Sequence, residues 1–295
     1  MNSKVRKIHW NMHHSCNMQC EFCYLWRKEV NHNLSTDDAI RLIKQSADLD
    51  IEWFVFGGGD PLMREDLPSL VAMAKKVGLK VDLQTNALAL TSQLFNRLSK
   101  SVDRVGLSLD GEDSSTHDFV RNWPGHFQIV IGALEKCEQS NIPVVIRTTV
   151  CKVNLGKLNK IKSILMPFSV VKKWSIREFV ALGRGTRNKS KYFVHRDTFL
   201  QEVSSIQHEN ISESVHFPIV PVSANEMNSC YCLVSSGGDF YTHPRDGIYR
   251  SYGKFPEERL ETILSKIDYD SALREWRDSE ESRQRDFINV SAELV

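Results

Sequence analysis

The chain has 295 residues, with 38 Lys and Arg against 37 Asp and Glu and a formal net charge of +1. So even a balance supplies no global field that would draw the protein to nucleic acid or to a membrane surface, and the length suits one large domain or one domain with an appendage. With 41% hydrophobic and 25% charged residues it falls in the folded globular class, which excludes disordered and fibrous proteins.

Met1 to Trp10 alternates basic and apolar residues without the apolar core of a signal peptide, and no later run approaches the length of a membrane span. The expectation is a cytoplasmic protein in a compartment where thiols stay reduced. Seven cysteines, an odd number, then read as metal ligands, reactive thiols or packing residues rather than as a disulfide framework.

The first predicted strand is Lys7–Asn11. Directly after it, His14-Ser15-Cys16-Asn17-Met18-Gln19-Cys20-Glu21-Phe22-Cys23-Tyr24 carries Cys-x3-Cys-x2-Cys spacing. Three thiolates on one short loop can bind three irons of a cubane and leave the fourth iron without a protein ligand. The alternatives are a tetrahedral zinc site completed by His13 or His14, and a cluster of free thiols. Tyr24 offers an aromatic face beside the loop.

Ser35-Thr36-Asp37-Asp38 reads as a capped helix start, with Ala39, Ile40, Ile43 and Ala47 on one face. A strand at Trp53–Phe56 runs into Gly57-Gly58-Gly59-Asp60-Pro61-Leu62, where glycines let backbone oxygens approach a ligand and a carboxylate can meet an ammonium group. A plain strand-to-helix turn is the alternative. Leu67–Val77 forms the next helix and stops at Gly78.

The strand Lys80–Leu83 ends in Gln84-Thr85-Asn86-Ala87, and after a helix at Thr91–Leu98 the strand Val105–Leu109 ends in Ser108-Leu109-Asp110-Gly111. Hydroxyl, amide and carboxylate groups at these mouths can bind a polar ligand, and turn formation accounts for Asn86 and Asp110 as well. A helix follows at Phe127–Ser140. Arg147 interrupts the apolar strand Val144–Val150, so it faces a lumen and needs an anionic partner. A helix at Leu155–Leu165 and a strand at Trp174–Val180, followed by Ala181-Leu182-Gly183, complete the series.

Six strands, each with its helix, predict an α/β fold: an open, partial (β/α)6 barrel of the TIM type, with chemistry at the strand C-terminal ends. The polar, basic stretch Gly183–Lys191 marks its end, giving a core over residues 1–185 and a small α+β extension over 186–295 that closes the barrel. In the extension, Asn228–Tyr241 reads as a hairpin turning at Gly237-Gly238-Asp239. Cys230 and Cys232 share a face of its first strand, as auxiliary metal ligands, a hydrogen-donating thiol or buried packing.

The three-cysteine loop with its following aromatic resembles the radical S-adenosylmethionine (SAM) superfamily over roughly the first 180 residues. That resemblance implies a [4Fe–4S] cluster on Cys16, Cys20 and Cys23 that cleaves SAM to a 5′-deoxyadenosyl radical, which takes hydrogen from a substrate. Gly58, Gly59 and Asp60 stand where the family has Gly-Gly-Glu-Pro, which binds the methionine amino group; Asp60 is one methylene shorter than the usual Glu. Thr85, Asn86, Ser108 and Asp110 match ribose and carboxylate contacts, Tyr24 and Leu182 the surroundings of adenine, and Arg147 the SAM carboxylate. Arg121 lies where relatives carry an arginine and either binds substrate or caps a helix.

The C-terminal part resembles a degenerate SPASM or twitch extension. His243 stands where such extensions carry a cluster cysteine, and Cys137 and Cys151 do not complete a second ligand set, so one cluster is expected. Cys230 or Cys232 would then correspond to the donor thiol of radical SAM epimerases. The implied partners are a peptide or small-molecule substrate and a flavodoxin- or ferredoxin-type electron donor. Two competing readings are a nucleotide-modifying relative of viperin, against which Val145–Val150 lacks lysine and asparagine, and a non-catalytic Fe–S or zinc-binding redox regulator.

Overall fold

Parallel strands β1 (Lys7–Asn11), β2 (Trp53–Gly57), β3 (Lys80–Gln84), β4 (Arg104–Ser108), β5 (Val144–Val150) and β6 (Val171–Glu178) lie side by side in chain order in a single sheet. The computed structural model describes residues 5–25, 32–212, 215–224, 232–245 and 248–267. Between the strands run α1 (Thr36–Asp48), α2 (Leu67–Lys76), α3 (Ser92–Leu98), α4 (Ser114–Arg121), α5 (His126–Gln139) and α6 (Leu158–Leu165).

Helix α1 begins as its sequence dictates. The Ser35 side chain accepts from the Asp38 amide at 3.1 Å, and Asp37 and Asp38 complement the first-turn amides. Its buried face is Ala39, Leu42, Ile43 and Ser46, one step round from the expected stripe, because the Ser46 hydroxyl donates to the Leu42 carbonyl at 2.7 Å and so tolerates burial.

Residues in each strand alternate between two surroundings. Ile8, Trp10, Phe54, Phe56, Leu83 and Leu107 pack into apolar cores, whereas His9, Asp82, Ser108, Arg147 and Arg177 occupy the alternate positions. Parallel strands covered on both faces are usually apolar throughout, so a polar second face means that it lines a lumen. His9 on β1 senses the charges of Arg147 on β5 and Arg177 on β6. A flat sheet would put those strands roughly 19–24 Å away at about 4.8 Å per step, so the sheet curls. These features are those of the expected partial barrel.

From Arg184 onward the chain forms α7 (Arg184–Arg187), α8 (Lys189–Tyr192) and α9 (Arg196–Ser212), then a strand absent from the sequence prediction, β7 (Ile219–Val222), parallel to β6. Pro221 fits there because β7 is an edge. Strand β8 (Cys232–Val234) pairs parallel with β1 on the opposite side, and β9 (Asp239–Arg245) and β10 (Ile248–Lys254) follow antiparallel, before α10 (Leu260–Ser265). The expected hairpin is therefore β8–β9, with Gly238 at φ +93° in its turn. Strands after residue 185 extend the sheet at both ends. Among the described residues no helix is long and apolar enough to cross a membrane.

Candidate functional site at the strand mouths

The cysteine loop leaves β1 at the C-terminal rim and lies over a small apolar core of Met18, Phe22, Val120, Phe179 and Tyr192. Its path is set by two close backbone approaches. Gly59, at φ +60°, comes so near that an added Cβ would stand 2.2 Å from the Ser15 carbonyl oxygen and 2.4 Å from that of His13. On the far side the Arg184 amide donates to the Cys23 carbonyl at 3.0 Å, and Gly183, at φ +55°, leaves room for that carbonyl. Only glycine combines such torsions with such contacts. The sequence prediction assigned Gly183–Lys191 merely to the end of the barrel; it is also the outer clasp of the loop, with Asn188 donating to the Glu21 carbonyl at 3.1 Å and Lys191 pairing with the Glu21 carboxylate at 2.5 Å.

Cys16, Cys20 and Cys23 are mutual electrostatic neighbours. Burial pushes the Cys16 thiol up to about 11 and raises Cys20 as well, against a lowering by the Arg121 guanidinium. The Met18 amide donates to the Cys16 sulfur at 3.4 Å, and the Asn86 carboxamide approaches it at 3.7 Å while donating to Asn17 at 2.7 Å. His13 and His14 are taken up by the loop itself: the Ser15 amide donates to His13 Nδ1 at 3.1 Å, and His14 meets Asn33 Oδ1 at 3.0 Å. Among the described residues no three His, Cys, Asp or Glu side chains converge on a single ion. Three neighbouring thiols on one loop suit a cubane, in which each thiolate binds a different iron.

The rim residues divide into two groups. Cys20, Cys23, Tyr24, Ser108, Arg147 and Leu182 line one cavity inside the strand mouths. Gln84, Thr149, Arg177 and the aromatic pair Phe22 and Phe179 also line it, and the sequence reading had not singled them out. Arg147 faces the lumen as expected, and its anionic partner is Asp82 of β3, at 3.5 Å. Asp82 is fully buried and also holds Arg104 at 2.9 Å; these cations keep its carboxyl far below the usual range despite burial.

The second group braces the rim. Asp60 is buried and accepts from the Leu62 amide (3.0 Å), the Thr85 hydroxyl (2.8 Å) and the Asn86 amide (2.7 Å), so its carboxylate ties the β2 mouth to the β3 mouth; burial raises it to about 6. Asp110 is also buried: it accepts from the Thr149 amide at 2.7 Å and pairs with Arg121, whose guanidinium also bonds Cys20. Arg121 thus joins the β4 mouth to the cysteine loop and also lines the cavity. Gly58, at φ +58°, packs against the Asn11 side chain.

A stacked histidine pair completes the brace. The Asp110 amide donates to His117 Nδ1 (3.0 Å), which fixes His117 as the Nε2–H tautomer; that proton goes to His126 Nδ1 (2.8 Å), and His126 Nε2–H then donates to the Asn86 carbonyl (2.9 Å). Burial lowers both imidazoles, His126 to about 4. Each ring nitrogen of His117 and His126 has its partner, so both rings are held neutral.

Two expectations change. Cys232 lies opposite Ile8 at the start of β1, its side chain 3% exposed in the apolar core with Ile8 and Val234. It is on the helix-facing side, about 10 Å along the strand from the rim, and does not line the cavity. The donor-thiol and auxiliary-ligand expectations for Cys232 therefore give way to packing. Cys230 and His243 carry no such description, because Cys230 and the His243 side chain lie outside the described residues. Cys137, pushed up to about 12 by burial within α5, and Cys151, pushed up to about 11, are likewise apolar packing residues.

The radical SAM superfamily profile matches residues 10–161, more than half of the chain, including the cysteine loop and the mouths of β2 to β5. The chain belongs to the radical SAM superfamily. Members of that superfamily use a [4Fe–4S] cluster and SAM. It is 31% identical over 205 residues to Fe-coproporphyrin III synthase of Methanosarcina barkeri, covering 68% of this chain and 50% of the relative. It is 23% identical over 281 residues to an S-adenosylmethionine-dependent nucleotide dehydratase of Lacinutrix mariniflava, covering 91% of this chain and 56% of that one. This radical SAM chain spans about half the length of the curated relatives it matches. The fold is similar to Streptococcus suis SuiB bound to S-adenosylmethionine, with a TM-score of 0.75 and 15% identity over 90% of this chain and 66% of that one.

Proposed function

We propose that the protein cleaves SAM reductively at a [4Fe–4S] cluster held by Cys16, Cys20 and Cys23 and directs the resulting radical to a C–H bond of a peptide or small natural product. The observation that carries this reading is the convergence of the three neighbouring thiols with Ser108, Arg147, Leu182 and Tyr24 at the C-terminal mouths of parallel strands. The cluster, when bound, supplies the electron that breaks SAM into methionine and a 5′-deoxyadenosyl radical.

The chain's own residues do the rest. Cys16, Cys20 and Cys23 ligate iron as thiolates; burial opposes loss of the proton at Cys16 and Cys20, and the Arg121 guanidinium favours it at Cys20. Backbone groups at Gly58 and Gly59 receive the methionine amino group, and Ser108 and Arg147, neighbours in register on β4 and β5, receive its carboxylate. Tyr24 and Leu182 shield the adenine side. Asp60, Thr85, Asn86, Asp110 and Arg121 act from behind, holding those mouths at fixed separations. Phe22 and Phe179 keep water from the cavity.

A peptide substrate is supported by SuiB, solved with its precursor peptide, and by PqqA peptide cyclase, 24% identical over 148 residues. The nucleotide reading retains one specific support, the dehydratase whose similarity runs along 91% of this chain. A reducing, cytoplasmic setting suits cysteines that form no disulfide among the described residues, and residues 1–185 form the catalytic core with the later strands as its extension.

Anaerobic reconstitution should give about four irons per chain and 5′-deoxyadenosine on reduction with SAM. Cys16→Ala, Cys20→Ala and Cys23→Ala combined should abolish both. A cubane retained by that triple variant, or no 5′-deoxyadenosine from the iron-loaded wild type, would remove the reading. Turnover of nucleoside triphosphates without any of peptides would favour the nucleotide alternative.

A further inference from the structure

Cys16 and Cys20 each receive a side-chain donor, and both donors trace back to Asp110. Arg121, paired with the Asp110 carboxylate, bonds Cys20. The Asn86 carboxamide approaches the Cys16 sulfur at 3.7 Å, and the Asp110 amide is linked to Asn86 through His117 and His126.

Asn86 is held at every polar atom. Its amide donates to Asp60 at 2.7 Å, its Oδ1 accepts from the Leu88 amide at 2.9 Å, and its Nδ2 also donates to Asn17 at 2.7 Å. The last group, the carbonyl, takes the His126 Nε2–H at 2.9 Å. The turn that results is strained: Ala87, 3% exposed, stands at φ +65°, a left-handed torsion that residues with a Cβ seldom adopt. Such strain persists only where the surroundings over-determine it. His126 is placed to do so. It is wholly buried and opens α5, whose start is fixed by Asp118, which accepts from the Gly125 amide at 2.6 Å and the Phe127 amide at 2.8 Å. Apolar side chains could fill this space without the cost of desolvating two imidazoles, so what the pair adds is direction.

We propose that His117 and His126 are positioning residues that aim the Asn86 carboxamide at Cys16 and thereby raise the reduction potential of the iron centre on the loop. The inference rests on the ligand role given to Cys16 under the proposed function. An iron–sulfur centre gains one negative charge on reduction, and a hydrogen bond to a ligating sulfur stabilises the more negative state. SAM cleavage needs that electron, so the direction of one side-chain amide bears on the step without touching substrate. The tautomers make the chain directional: the His117 proton goes to His126, which leaves the His126 Nε2–H for Asn86.

The test is a redox titration of the reconstituted holoenzyme, with iron content and the electron paramagnetic resonance spectrum of the reduced state. A Gln amide nitrogen can stand where the imidazole Nε2 stands, whereas Asn reaches only as far as Nδ1. His126→Gln should therefore keep the wild-type potential. His126→Asn should still load about four irons but lose about tenfold in the one-electron equilibrium, a midpoint about 59 mV lower, and shift the g-values. Asn86→Ala should lower the midpoint by a similar amount, and adding His126→Asn to it should do nothing more. His117→Asn and His117→Gln repeat the comparison one link further back, so they decide the question if His126→Asn does not load iron.

A wild-type potential in the two Asn variants would overturn the proposal, as would equal shifts in the Asn and Gln variants or loss of iron from both Asn variants. A wild-type chain that holds no reducible iron centre would overturn the ligation itself, and this inference with it.

Discussion

Gly59→Ala should damage the site far more than its size suggests, and Gly78 supplies the control. Both glycines have positive φ, +60° and +91°, so an alanine at either costs about 1–2 kcal/mol of backbone strain. At Gly78 a Cβ meets nothing within 4 Å. Gly78→Ala should therefore lower Tm by only about 2–8 °C, at roughly 2–4 °C per kcal/mol for a domain of this size. At Gly59 the new carbon would lie 2.2 Å and 2.4 Å from two carbonyl oxygens of the cysteine loop. Backbone must move to relieve that, which adds about 1–3 kcal/mol, for a total near 2–5 kcal/mol. The segment that moves runs into Cys16, so iron loading should fall together with stability. The assays are thermal unfolding of the apoprotein and iron content after anaerobic reconstitution. If Gly59→Ala loads iron fully and melts with Gly78→Ala, the close approach does not set the loop.

Arg121→Ala leaves the fully buried Asp110 without its cation and should cost about 3–5 kcal/mol in urea unfolding, while Arg121→Ala combined with Asp110→Asn recovers part of the loss. His126, lowered to about 4 by burial, stays neutral in the fold while the unfolded chain takes up its proton below about 6.5, so the stability it carries is complete above that pH and is lost as pH falls towards 4. The loss at pH 5 is about 2 kcal/mol, from roughly 1.5 pH steps at 1.36 kcal/mol each. Asp60, raised to about 6, works in the opposite sense, so the measurement is the difference in pH slope between wild type and His126→Leu; equal slopes would refute it. Cys232→Ser should cost about 1–3 kcal/mol through burial of an extra hydroxyl and leave SAM cleavage per folded enzyme unchanged; loss of activity at full iron content would restore a chemical role.

What could be read in advance follows from how local each signal is. β1 and β5 match their predicted limits because β-branched or alternating runs end at turn residues within the same few positions. α6 starts at Leu158 rather than Leu155 because Asn154 folds back onto the Thr149 and Asp110 carbonyls, both at 2.9 Å, and Gly156 turns at φ +76°. β7 is four residues long and contains a proline, too little pattern to outweigh its neighbours. That the three cysteines are neighbours was legible because they share one short loop. Arg147 was legible as a lumen residue, but Asp82 as its partner depends on two strand registers at once. The same holds for His117 and His126, nine residues apart yet significant only because Asn86 comes round from another strand. Among the three roles open for Cys232, packing follows from a face decided by pairing with β1, more than 200 residues earlier.

The loop's two glycine contacts, Gly59 within and Gly183 without, bear on how the metal centre is assembled. A loop free to wander would have to surrender about 1–2 kcal/mol of backbone entropy for each residue fixed at the moment iron arrives. Here residues 13–23 are already confined from both sides by the folded strands and by α7, so that cost is met when the chain folds. Under the proposed ligation iron and sulfide would meet a receptor rather than an ensemble, and loading should proceed with little change in the heat capacity or hydrogen-exchange protection of the rest of the barrel.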